Sequence, residues 1–338
     1  MRPVRRSRRS GARGVVLMFS LVAVAILSLV AIRYADRLDR LREQTLSLQA
    51  LADATAAARG GHAAVLYWIA TRPIGPSGHG PTGQVLREDG RWYRLPDAPV
   101  VLSVQDQRGL LPVNSLTRPE MLALLAQFGV VAARADAMAD ILEDYLDTDD
   151  LKRLNGAERR DYAALGLPPP RDDWMLSVQE FTRMPLWRDE PKLLDGLRGV
   201  LNTRNLRDFN PLTAPRAVLR VKFPVAADEQ MRRLLALRAE GQLLDANEAA
   251  RLTGLPMNVD EFILAPSPSK RVQVWAPGLP RVHEYNVQFT PGGTLGPWLV
   301  SDFSAVARFA TGHDPEPFRL PGFGVGQTRM GASREPAP

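Results

Sequence analysis

The residues best suited to do chemistry are carboxylates. Glu143-Asp144-Tyr145-Leu146-Asp147-Thr148-Asp149-Asp150 sets five acids in eight positions, and Asn155-Gly156-Ala157-Glu158 follows. Acids this crowded either face water as a solvated turn or gather a hard cation such as Ca²⁺, which takes oxygen ligands. With Asp147 as the first position of a calcium loop, Asp149 falls third, Asn155 ninth and Glu158 twelfth. Leu151 and Lys152 stand fifth and sixth, where an EF-hand needs an oxygen and a glycine, so the loop is not a true EF-hand. Lys152 and Arg153 also bring neutralising charge of their own. The candidate metal ligands are Asp147, Asp149 and Glu158, with a solvated acidic turn as the alternative.

Little else in the chain offers catalysis. Its 338 residues contain no cysteine, which excludes a thiolate nucleophile, an Fe–S or zinc-thiolate site and a disulfide scaffold. His62, His79, His283 and His313 stand alone, without the pairing of a metal motif. Ser77, in Gly75-Pro-Ser-Gly-His79, lacks the final glycine of a nucleophile elbow. Gly322-Phe-Gly-Val-Gly326 lies in a Pro/Gly tail with no strand-to-helix setting. A membrane-anchored hydrolase therefore has no residues to name, and the chain reads as a non-enzyme.

The elements that must position the acid block alternate between strand and helix patterns. Gln84–Arg87 and Arg91–Leu95 flank Asp89-Gly90, a hairpin signal, and Val100–Val104 follows. Strand-like alternation returns only at Arg271–Ala276, Val282–Thr290 and Trp298–Phe303. Between these groups the period is helical, for example over Pro119–Phe128, Ala135–Tyr145 and Asp228–Glu240. The fold class is α+β: a small sheet interrupted by a large inserted all-α domain, 112–265, with the sheet resuming over 266–310. A flexible tail is expected from 311 to 338, where Pro and Gly concentrate.

The N-terminus carries the charge asymmetry. Net charge is +6, and the six arginines before Gly14 account for all of it. Val15–Ile32 follows without a charged residue and reaches roughly 27 Å as a helix, enough to cross a bilayer core. Arginines before such a run hold the N-terminus in the cytoplasm. A cleaved secretory signal ends at a small-x-small site, which Ala31-Ile32-Arg33 does not provide. A twin-arginine signal is hinted at by Ser7-Arg8-Arg9, but Gly11-Ala12 stand where bulky apolar residues are expected. A leader of residues 1–14, cut after Gly14 with the span 15–32 kept, fits best; a plain single-span anchor is the simpler alternative. The helical stripe continues through Leu38, Leu41, Thr45 and Leu48 toward Trp68, and Pro73 ends it.

Inside the helical block, Asn114-Ser-Leu-Thr-Arg-Pro119 and Asn210-Pro-Leu-Thr-Ala-Pro215 share one pattern, N-x-L-T-x-P. Both read as capped helix starts, and more sharply as two helix-hairpin-helix units. Such units bind DNA backbone through a glycine-rich turn. The turn Val221–Asp228 has no glycine and ends in acid, and without its leader the chain has no spare positive charge. No nucleic-acid partner is expected, and a single-span envelope protein that binds DNA is the alternative.

An Arg-Gly cut site before an apolar helix, then Tyr145-Leu-Asp147-Thr-Asp149-Asp150, Asn155-Gly-Ala-Glu158 with Tyr162, and Ser177-x-x-Glu180-Phe181 together resemble the minor pseudopilin K of type II secretion systems. The resemblance implies cleavage after Gly14 by prepilin peptidase and methylation of Val15. It implies a pilin-like α/β domain, over 33–111 and 266–310, carrying the inserted helical domain, and Ca²⁺ held in the insert. Its partners would be minor pseudopilins of types I and J, in a pseudopilus standing on the inner membrane with its body in the periplasm. Most pseudopilins carry Glu at the fifth mature position. Here that position is Phe19, which suits a subunit that caps an assembly.

Overall fold

The structure is a computed structural model that describes residues 12–81, 83–96, 98–206, 208–241, 245–306 and 316–318, with side chains from Val16 onward. Residues 1–11 of the expected leader and 319–338 of the expected tail lie outside it. The chain divides after Ala56 into two units, the second being residues 57–338. The first unit is helical. Helix α1 (Ala12–Thr71) begins there, and no proline interrupts its sequence before Pro73. Along Val16–Ile32 its large apolar side chains are exposed, Phe19 by 72%. Ser20 Oγ donates to Val16 O at 2.6 Å, so its hydroxyl is satisfied inside the helix.

In the second unit, the last turns of α1 bury Ala58, Ala64, Val65, Trp68 and Ile69. Two short strands, β1 (Ile74–Gly75) and β2 (Gly78–His79), form a hairpin joined by β3 (Leu86–Arg87). The main sheet begins with β4 (Asp89–Leu95) and β5 (Val100–Asp106). It resumes with β8 (Ser269–Trp275), β9 (Val282–Phe289) and β10 (Trp298–Val306), and β11 (Glu316–Pro317) adds to one edge. The order is β10-β9-β8-β5-β4-β11, antiparallel except for β11 on β4.

Two local expectations change. Asp89-Gly90 is not a hairpin turn. Both residues lie inside β4, where the register on β5 shifts between Asp89 and Trp92, and Gly90 takes φ 80°. The glycine serves a bulge, which needs the same left-handed backbone as a tight turn. The expected tail is ordered at 316–318: β11 pairs with β4, and buried Phe318 packs on Tyr93 and Trp68, with ring centres 5.1 and 5.4 Å away. An aromatic residue with a buried slot outweighs the Pro/Gly composition around it.

The insertion runs from Asp106 to Ser269. It starts with β6 (Leu111–Pro112), which pairs in parallel with β7 (Leu201–Asn202). Helices α2 (Arg118–Gln127) and α3 (Ala132–Leu146) make the first hairpin, joined through Gly129 at φ 79°. Helices α4 (Arg159–Ala164) and α5 (Pro191–Arg198) follow. Helices α6 (Arg216–Lys222) and α7 (Asp228–Glu240) make the second hairpin, and α8 (Ala246–Thr253) packs on α7. The two hairpins meet where α2 packs on α6, and Lys222 Nζ pairs with Glu120 at 2.6 Å. One apolar core unites the block, with Leu124, Met138, Trp187, Leu197 and Leu219 all fully buried.

Both asparagines of the repeated N-x-L-T-x-P pattern are structural. Asn114 Nδ2 donates to the carbonyls of Met175 and Thr203. Buried Asn210 accepts from Leu212 N at 3.0 Å. The insertion's two ends are tied together at Asp106, whose carboxylate is fully buried. It accepts from Ser267 N at 2.9 Å, Ser267 Oγ at 2.6 Å and Thr213 Oγ1 at 3.0 Å.

Candidate functional site

The acid block is built on the last turns of α3. Asp140, Glu143, Asp144 and Asp147 recur at three- and four-residue steps, which places them on one helix face. The following loop folds back over that face and brings a cation with it. Arg153 approaches Glu143 at 2.8 Å, Asp144 at 2.6 Å and Asp147 at 2.5 Å. Arg118, from the start of α2, pairs with Asp140 at 2.8 Å and with Glu143 and Asp136 at 3.2 Å. Asn155 is tied to α3, because its N and Nδ2 both donate to Asp140 Oδ2 at 3.1 Å. Gly156 leaves room for Asp144: a Cβ there would stand 1.8 Å from Asp144 Oδ2 and displace it.

Two of the three expected ligands come to this cluster. Asp147 caps the end of α3; one of its oxygens meets Arg153, and Oδ1 is buried without a hydrogen-bond partner. Glu158 is 7% exposed, and both its carboxylate oxygens are buried and unpartnered. Burial, then the charges of Asp144, Asp147, Asp150 and Asp172, push the Glu158 carboxyl up to about 7. Asp149 stays outside. It is exposed, and its Oδ1 accepts from Leu151 N at 2.8 Å. Among the described residues no three acids converge as a finished metal cage. The orphaned oxygens of Asp147 and Glu158 are of the kind a hard cation takes, and Arg153 lies against Asp147 and Asp144.

Asp144 is the ligand candidate that sequence spacing missed. It is fully buried, and its signal lay in the three-residue step to Asp147 and in the glycine that has to clear it. The rest of the recurring motif is scaffolding. Glu180 accepts from Tyr145 Oη at 2.8 Å and from the N–H groups of Leu176 and Ser177 at 2.7 and 3.0 Å. Tyr162 is buried beside Tyr145, ring centres 6.3 Å apart.

A second charged centre lies on the sheet. Asp89, its side chain 1% exposed, takes two 2.9 Å hydrogen bonds from Arg91 and pairs with Arg238 at 2.8 Å and Arg87 at 3.5 Å. Burial alone would raise this carboxyl. The hydrogen bonds from Arg91 and the charge of Arg238 overcome that and hold it well below the usual carboxylate range. Because Arg238 ends α7 and Asp89 opens β4, the pair clamps the insertion to the sheet.

The remaining residues weighed for chemistry have other partners. His62 stacks on Tyr285 at 4.0 Å, and His283 meets Phe303 edge-on. His79 Nδ1 lies 2.5 Å from Glu88, which also pairs with buried Lys270. His313 and the glycines of 322–326 lie outside the described residues. Around the α6–α7 turn, Arg220 pairs with Asp228 at 2.6 Å, and Glu229 holds Arg232 and Arg233 at 2.6 and 3.1 Å. Gly14 and Val15 fall in the opening turns of α1.

Comparison with known proteins bears on this arrangement. A sequence search among curated proteins finds no match. In fold the chain is similar to a chain in the crystal structure of the GspK-GspI-GspJ complex from the type 2 secretion system of enterotoxigenic Escherichia coli. The TM-score is 0.50 at 16% identity, over 80% of this chain and 100% of the other. Residues 101–194, from β5 through the whole acid block into α5, match the family of type II secretion system (T2SS) protein K. These two likenesses support reading the chain as a type II secretion minor pseudopilin of the K type.

Proposed function

We propose that this pseudopilin caps the tip of a short periplasmic pseudopilus, as a non-enzymatic subunit supporting protein export across the outer membrane. Its partners there are two other minor pseudopilins, of types I and J; the structurally similar complex supports this choice. The observation that carries the reading is the pairing of a long apolar helix with a body widened by a large insertion. Val16–Thr71 includes an 18-residue window of mean hydropathy 2.5. Such a helix suits a shaft that starts in the inner membrane, and the insertion between β5 and β8 is bulky enough to obstruct addition above it. Prepilin peptidase removes residues 1–14, Val15 becomes the methylated N-terminus, and Phe19 leaves no carboxylate in the span. Mass spectrometry of the N-terminus tests this. A methylated Val15 is expected, and an intact Met1 removes the assignment.

Calcium belongs to the same reading. Asp144, Asp147 and Glu158 would hold the ion, with Arg153 turned outward, while Asp149 completes the shell only if its loop rearranges. When bound, the ion supplies the positive charge that Glu158 lacks and ties the end of α3 to the start of α4. Thermal melting at millimolar Ca²⁺ is expected to rise for the wild type and stay flat for Asp147→Ala. Identical curves with and without Ca²⁺ would sink the metal assignment.

A further inference from the structure

A cavity of about 250 Å³ opens between the sheet and the insertion, away from the acid block. Trp92, Gln105, Arg271 and Gln273 line it from the strands, and Gly199 and Pro215 from the insertion. Its unusual member is Arg271, only 7% exposed on the central strand β8. Nη1 donates to the carbonyl of Arg198 and Nη2 to that of Leu201 at 2.7 Å. A guanidinium has five N–H donors, so three have no acceptor among the described residues.

Its charge is also unpaired, since no carboxylate of the described residues lies within 4.0 Å. Glu284 and Asp302 act on it only at longer range, and their own hydrogen bonds come from neutral donors: Gln273 Nε2 at 2.6 Å for Glu284, and Asn286 and Ser301 at 2.9 and 3.1 Å for Asp302. Asp89 lines the cavity too, but it is shared among three arginines. A buried arginine with spare donors and no carboxylate in direct contact is costly unless something takes up those donors.

We propose that this cavity binds a carboxylate-bearing ligand, its carboxylate received by Arg271 and its body resting against Trp92. The planar guanidinium fork matches a carboxylate in two parallel hydrogen bonds. The space exceeds the roughly 150 Å³ that accommodates benzene in an engineered cavity, so a ring or a short side chain fits beside the charge. The carboxylate belongs either to a free organic acid or to the C-terminus of a polypeptide.

The test uses the full chain in nonionic detergent and a carboxylate-free buffer. Benzoate represents the free acid, and an acetylated tripeptide with a free C-terminus represents the chain end; each is compared with its own amide. At about tenfold excess over Kd, one acid or the other is expected to raise the melting temperature by roughly 2–4 °C, with its amide inactive. Whichever acid acts identifies the source. Gly199→Leu fills the cavity without removing Arg271 and is expected to abolish the shift. Residue 199 has helical φ −73°, and a Cβ there meets only Gly196 O, at 3.3 Å; a cooperative melt of the ligand-free variant checks that it folds. The proposal is overturned if neither acid exceeds its amide, or if Gly199→Leu keeps the full shift.

Discussion

Asp89 and Glu158 are both carboxylates withdrawn from water, yet their surroundings treat them in opposite ways. Three arginines, two beside it in sequence and one from α7, converge on Asp89, and its carboxyl is held far below the ordinary range. Glu158 has no hydrogen bond to either oxygen, and its carboxyl is pushed up by burial and by neighbouring acids. The first centre is electrostatically finished by the polypeptide itself. The second is not: Arg153 pairs with Glu143, Asp144 and Asp147 and leaves both Glu158 oxygens without a partner. A finished centre points to assembly of the fold, and an unfinished one to something that arrives later.

The largest test of this contrast is Asp89→Ala, which strands three guanidinium groups at the junction of insertion and sheet. Denaturant unfolding should show a loss of about 3–5 kcal/mol, the usual effect of removing one partner from a buried ion pair. Because the folded pKa of Asp89 is depressed, its contribution is complete above the unfolded value of about 3.9 and disappears as pH falls below that. Asp89→Asn should therefore flatten the acid limb of the stability profile below about pH 4.

Gly156→Ala comes next, at about 1–3 kcal/mol, since its methyl would displace Asp144 and the return loop with it. Calcium stabilisation should fall in the same variant, measured as the melting shift. Glu158→Gln should move the other way: without calcium it stabilises by about 1 kcal/mol at neutral pH, because it relieves like-charge repulsion. With calcium that advantage should vanish. If the variant were destabilised without metal, Glu158 would be as well satisfied as Asp89 and the contrast would fail. Asp149→Ala, an exposed loop acid, should change stability by less than about 0.5 kcal/mol.

Much of the fold was legible because its periods are long and uninterrupted. The expected helix Asp228–Glu240 coincides with α7, bounded by Gly241 at φ 68°. The strands after the insertion fall within one or two residues of their expected starts. What was not legible depends on contacts distant in sequence. Asp-Gly predicts a left-handed glycine, which is present, but whether it serves a turn or a bulge depends on β5 lying opposite. Phe318 orders its neighbourhood because Trp68 and Tyr93 wait for it. In the acid block, local spacing singled out Asp147 and Glu158, and both carry oxygens without a hydrogen-bond partner. Asp144 emerged only when the loop had folded back over α3, and that same fold-back sends Asn155 to Asp140.

The Asp106–Ser267 link has a consequence for the order in which the protein forms. Strands β5 and β8 are adjacent in the sheet, but this link joins residues 161 positions apart. Closing so long a loop from a disordered chain costs about 4–5 kcal/mol in entropy by the logarithmic rule. A helical block that has already folded presents its two ends side by side and removes most of that cost. The insertion should therefore mature first, through its local helix contacts, and act as a template on which β5 and β8 meet. In pulse-labelling hydrogen exchange, amides of α2, α3 and α7 should gain protection before those of β8 and β9.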